Sequence, residues 1–198
     1  MPRINAEYHR DAKRKIIAAT LDIAHETGWN TVTLEAVARR VGVTKAALYT
    51  YFENSSSLTK EATFELIRRL RERILTNTST EKVGIRESVK RIAEILFTQG
   101  DPIAPLFLQA LSGILQDKRF REQVCLQYNE VLLDLGNHLQ QRQQSGEIPA
   151  EVDIQKALRA MNGLTLGLAF IYKLSGEDTL EARKIWITSV ERILKITR

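Results

Sequence analysis

Lys45 is the only long hydrogen-bond donor in the run Thr44-Lys45-Ala46-Ala47, which reads as the first turn of a short helix. Presented to a DNA major groove, those four side chains face base edges. The lysine ammonium suits the O6 and N7 of guanine, and the Ala47 methyl can touch a thymine methyl. A phosphate contact is the alternative role for Lys45, and it would carry no sequence preference. Tyr49 and Tyr51 follow on the same side, although Tyr51 also belongs to the LYTYF run that packs the domain.

That chemistry needs rigid elements to aim it, and residues 33–52, TLEAVARRVGVTKAALYTYF, have their pattern. Val37, Ala38 and Val41 share one face of a first helix at helical spacing. Gly42 stands where a tight turn needs positive φ. Thr44 is a good N-cap for a second helix, and Leu48 and Phe52 are its i, i+4 apolar pair. Ala38 is small enough for the two helices to cross closely. Together these are the features of a helix-turn-helix, whose second helix enters a DNA major groove. An ordinary αα-hairpin within a helical protein is the plainer alternative.

Upstream, Ile16, Ile17, Leu21, Ile23 and Ala24 form an apolar helical face that Gly28 ends. Downstream, Asn54, Ser55, Ser56 and Ser57 offer N-caps for a long helix beginning near Leu58. These segments resemble the DNA-binding domain of the TetR family of transcriptional regulators. The likeness is carried by Ile16, Ala18, Ala19 and Leu21, then Gly28 and Thr33. It continues through the string V-A-x-x-x-G-V-T-x-x-A-L-Y-x-Y-F from Val37 to Phe52. The resemblance implies phosphate or sugar contacts for Thr33, Tyr49 and Tyr51. Ser55 stands where the family usually has a lysine, in Phe52-Glu53-Asn54-Ser55-Ser56-Ser57-Leu58. Its hydroxyl or the neighbouring helix amides could still bind phosphate, with less salt dependence than a lysine.

With 198 residues and a hydrophobic fraction of 43%, the chain can bury a reading head and a larger second domain. The expected division is 1–54 for the DNA-binding domain and 55–198 for effector binding and dimerisation. The net charge of +5 suits an anionic partner. Arg3, Arg10, Lys13, Arg14 and Lys15 cluster ahead of the first core helix. A flexible basic arm there could reach phosphate or a minor groove, and a solvated basic face is the alternative. The single Cys125 permits no internal disulfide and reads as a buried or half-buried apolar residue in a reducing cytoplasm. No signal peptide is visible at the N-terminus. The longest uncharged apolar stretch, 160–172, is too short to span a bilayer. The expected location is cytoplasmic.

The periodicity is helical throughout, giving an all-α chain with three helices in the head and six in the body. The body helices are expected at 57–75, 85–99, 102–115, 117–145, 153–174 and from Asp178 onward. Asp101 and Pro102 start the sixth as N-cap and first residue. That helix is so apolar that it should be buried on most sides. Asp178-Thr179-Leu180-Glu181 reads as a capping box.

Gly163 and Gly167 lie four apart on the eighth helix, and the ninth carries Trp186 and Val190 within an apolar-rich run. This apolar surface suggests a partner helix pair from a second subunit, or burial against the chain's own body. The resemblance implies the former, a four-helix homodimer interface, with a double-stranded DNA operator as partner. It also implies a small-molecule effector held in the body, for which Phe64, Phe97, Phe107, Leu111, Tyr128 and Asn162 are candidates. Asn162, a polar group in an apolar helix, requires a hydrogen-bond partner in the body or across a dimer.

No cofactor or metal is expected. His9, His25 and His138 are far apart and none has metal-ligand spacing. No phosphate-binding glycine loop or nucleophile elbow is present. The function implied is a ligand-responsive repressor. An activator of the same fold and a helical adaptor that binds no DNA are the alternatives.

Overall fold

The computed structural model describes the backbone of residues 2–78, 83–97 and 103–196, with side chains within 7–77, 83–97 and 106–196. Asp101 and Pro102, expected to open the sixth helix, lie outside the described residues. The described chain is all-α, with nine α-helices and no strand. It divides into two compact units, 1–66 and 67–198.

The first unit contains α1 (Pro2–Thr27), a 3-10 turn (Trp29–Thr31), α2 (Leu34–Val41), α3 (Lys45–Leu48) and the first part of α4 (Ser55–Thr78). Ile16, Leu21, Ala24, Val37, Ala38, Leu48, Phe52, Leu58 and Ala62 form its core. Because Leu58, Ala62 and Leu66 are buried, the early turns of α4 belong to this unit, and the division falls beyond residue 54.

α1 begins at Pro2, so the basic cluster is on a helix rather than in a flexible arm. Lys13 is paired with Glu61 at 3.1 Å and lies 5.5 Å from the Phe52 ring centroid, while Arg14 pairs with Asp11 at 3.5 Å. The alternation that marks a buried helix stops at Ile16. Of the preceding residues, 7–11, 14 and 15 are exposed and Ala12 and Lys13 are half-buried, so this part of α1 adds no buried stripe to the core.

The second unit holds α5 (Ile85–Phe97), α6 (Ile103–Gln116), α7 (Lys118–Gln144), α8 (Ile154–Ser175) and α9 (Thr179–Ile193). α9 packs on α5 and α8, and α6 packs on α7 and α8. Asp117 and Asp153 cap α7 and α8, accepting from the amides of Phe120 and Lys156, each at 3.0 Å. Gly176 closes α8 at φ 71°, with its N–H donating to the Tyr172 carbonyl. Asp178 caps α9 through the Leu180 amide at 3.0 Å, and Glu181 pairs with Lys184 at 3.3 Å.

α6 is less enclosed than its composition suggests. Leu106, Ala110 and Ile114 bury one stripe, whereas Leu115 is 62% exposed. Spacing of four places those three on one line, and the remaining apolar residues fall outside it. Cys125 is exposed rather than buried. Among the described residues, no helix is long and apolar enough to cross a membrane.

Candidate nucleic-acid interface

Two threonines set the two helices of the motif. Thr33 Oγ1 accepts from the Ala36 amide at 3.1 Å and Thr44 Oγ1 from the Ala47 amide at 3.2 Å. Each satisfies one of the amides that a helix N-terminus leaves open. Between them Gly42, at φ 78°, ends α2 by donating to the Ala38 carbonyl at 2.9 Å. An L-residue there would be strained, so glycine fixes the turn. α3 is a single turn of helix, extended by turn bonds from Tyr51 and Phe52 to the Leu48 carbonyl at 2.9 and 3.0 Å. Leu48 and Phe52 are buried and anchor it from below.

The opposite side of α3 is open. Thr44, Lys45 and Ala46 are exposed, Ala47 is half-buried, and Tyr49 is 52% exposed. Lys45 Nζ lies 5.7 Å from the Tyr49 ring centroid. It is also ion-paired with Glu35 on α2. That pairing holds the Glu35 carboxyl below the usual carboxylate range and raises the Lys45 ammonium above its ordinary value. The two residues are ten apart on different helices, so no helical period announces the pair. Glu35 is the member of this face that sequence reasoning missed.

Tyr51 is half-buried, with its ring 4.4 Å from that of His9 on α1. Its ring therefore helps dock α1 as well as bordering α3. Ser55 has a local role: its Oγ accepts from the Leu34 amide at 3.3 Å, capping α2 from the start of α4. Arg40, at the other end of α2, is forked onto Glu26 at 2.6 and 3.0 Å.

In the second unit, three of the effector candidates come together. The Phe107 and Tyr128 rings stack at 5.3 Å and 13°, and the Tyr128 hydroxyl donates to Asn162 Oδ1 at 2.6 Å. Asn162 thus has the partner its setting demands, within its own chain. Burial pushes the Tyr128 hydroxyl up to about 12. Leu111 is half-buried on α6 and Phe97 is buried on α5, while Phe64 belongs to the first unit.

The expected subunit contact divides in two. Gly163 and Gly167 are exposed on α8, and a Cβ at either would meet nothing within 4 Å. Trp186 and Val190 are instead 1% and 0% exposed. They are core residues of this chain and offer a partner no surface. Spacing of four put them on one face of α9, and that face is the one turned inward. The exposed apolar side chains of these helices are Phe170, Ile171, Leu174, Leu180 and Ile185.

Among the described residues, no group of three or more His, Cys, Asp or Glu side chains could hold a metal ion. His138 is buried on α7, and burial is the main cause that lowers its imidazole below the usual histidine value.

The profile of bacterial regulatory proteins of the tetR family matches residues 16–62, the segment that carries α2, α3 and their flanks. The HTH-type transcriptional regulator SrpR of Pseudomonas putida is 23% identical over 198 residues, covering 98% of this chain and 91% of SrpR. The regulator BetI of Klebsiella pneumoniae is 31% identical over 75 residues, 38% of this chain and 37% of BetI. The fold is shared with FadR of Bacillus subtilis, solved with stearoyl-CoA, at a TM-score of 0.72 and 18% identity, covering 93% of this chain and 99% of that one. With the capped helix pair in place and the matched segment centred on it, residues 16–62 form a DNA-binding domain of the kind found in bacterial regulatory proteins of the tetR family.

Proposed function

We propose that this chain is a cytoplasmic repressor that binds a DNA operator as a homodimer and leaves it when a small molecule occupies the body. The observation that carries the DNA part is the exposed face made by Thr33, Thr44, Lys45 and Tyr49 on two N-capped helices. A helix so presented fits a major groove with its N-terminal residues toward base edges. The dimer part is supported by the uncovered apolar side of α8, where Gly163 and Gly167 would allow close approach of a second copy. A two-fold dimer presents two reading heads to a pseudo-palindrome.

The effector part is supported by the stacked Phe107 and Tyr128 with Asn162, an apolar setting with oriented polar groups. FadR, which shares the fold, was solved in complex with stearoyl-CoA, and that precedent supports a small-molecule effector for this chain. An effector that prefers one packing of the body weakens DNA binding only if DNA prefers the other, so the two affinities are reciprocally linked.

Selection from randomised duplexes tests the reading. The wild-type chain is expected to enrich a pseudo-palindromic sequence, with log affinity falling linearly against log salt. Placed over a promoter, that sequence should lower transcription of a reporter. Higher transcription from an upstream placement would make the protein an activator. Absence of any duplex binding would leave the helical adaptor.

A further inference from the structure

On the exposed side of α3, the lysine is not free. Lys45 Nζ is ion-paired with Glu35, and the ammonium also stands beside the Tyr49 ring. An unpaired carboxylate on a surface meant for phosphate would only oppose binding. Two arms of different helices nonetheless bring this one onto the lysine. Both side chains are about half exposed, at 44% and 53%, so burial does not force the pairing.

We infer that Glu35 is a positioning residue that converts Lys45 from a general phosphate contact into a selective base contact. The inference rests on the DNA-binding reading above. An ammonium has three donors on a flexible stem. Glu35 takes one donor and tethers the stem across the start of α3, so the remaining donors point outward from one place. Its negative charge also cancels much of the field that would draw Lys45 to any phosphate. A phosphate approaching the pair meets like charge, whereas a guanine edge meets a donor with neutral surroundings. Specificity built by opposing the wrong partner as well as favouring the right one has this form. The pair thereby trades affinity for all DNA against preference for one base pair.

The experiment uses full-length chain and a duplex selected by the wild type from a randomised pool, compared with a scrambled duplex. Glu35→Gln is expected to tighten binding to scrambled DNA and to reduce the selected-to-scrambled ratio about tenfold. The log–log salt slope on scrambled DNA should steepen by about one, as Lys45 becomes a phosphate contact. Glu35→Ala should behave the same way, which separates loss of the carboxylate from any effect of the new amide. In a Lys45→Ala background, Glu35→Gln should change the ratio by less than about twofold, because the two residues act as a unit.

An unchanged ratio and slope in Glu35→Gln would overturn the inference while leaving DNA binding intact. An equal fall with and without Lys45 would also overturn it, making Glu35 a base contact in its own right. Failure of the wild type to bind any duplex would remove the DNA-binding reading itself.

Discussion

The Trp186 indole N–H donates to Thr165 Oγ1 at 2.8 Å, and the Thr165 hydroxyl donates onward to the Met161 carbonyl at 2.8 Å. This chain of two bonds joins α9 to α8 through a side chain that is almost wholly buried. It makes Trp186 a fastener within the protomer, not an anchor between protomers. Thr165→Val keeps the shape and removes the acceptor, leaving a buried indole N–H unpaired. The expected cost is about 1–3 kcal/mol in urea unfolding. A change of only a few tenths would mean that water reaches the indole.

Lys45 and Tyr49 share the exposed side of α3 but are expected to fail differently. Lys45→Ala should cost about 1–3 kcal/mol on the selected duplex and relax preference at one position. Tyr49→Phe should weaken selected and scrambled duplexes alike without unfolding the head, since a phenol on phosphate carries no sequence information. Parallel titrations of both duplexes separate the two. Loss of thermal stability with unchanged binding would instead give the Tyr49 hydroxyl a structural role.

Tyr128 provides a signature on the alkaline side. Burial pushes its hydroxyl up to about 12, against about 10 for an unfolded tyrosine. The folded state therefore holds the proton more tightly than the unfolded state. The resulting stability is complete below pH 10 and is lost as pH rises to about 12. Two pKa units correspond to about 2–3 kcal/mol. Tyr128→Phe should be less stable than wild type by about 1 kcal/mol near neutrality, through the lost bond to Asn162. The gap should narrow or reverse between pH 10 and 12. A constant gap across that range would show that Tyr128 ionises without cost.

The helix-turn-helix was legible because its signals are local. Gly42 needs positive φ, Thr44 caps its helix within three residues, and Leu48 and Phe52 are one turn apart. Likewise Asp117, Asp153 and Gly176 announced the ends of α7 and α8. What stayed hidden depends on partners distant in sequence. Period alone gave an apolar face on α9, but not whether Trp186 and Val190 turn toward α5 and α8 or toward a second subunit. The first turns of α1 are rich in charge, and that basic cluster read as an arm rather than as a helix. The Glu35–Lys45 pair and the Tyr128–Asn162 bond bridge separate helices, and only packing brings them together.

Gly167 offers a test of the dimer in which fold stability and association move in opposite directions. A Cβ at Gly163 or Gly167 meets nothing within 4 Å, so the protomer has room for a side chain. Replacing a mid-helix glycine should favour the helix by about 0.5–1 kcal/mol. Gly167→Leu is therefore expected to raise the stability of the isolated protomer. If two α8 helices approach at that point, the same leucine holds them apart, and sedimentation should show a shift from dimer to folded monomer. Operator binding should fall with it, because two heads must span half-sites about 34–36 Å apart, or a near multiple. A variant that stays dimeric and binds normally would place the interface away from Gly167. A folded monomer that still binds its operator tightly would end the two-headed mechanism.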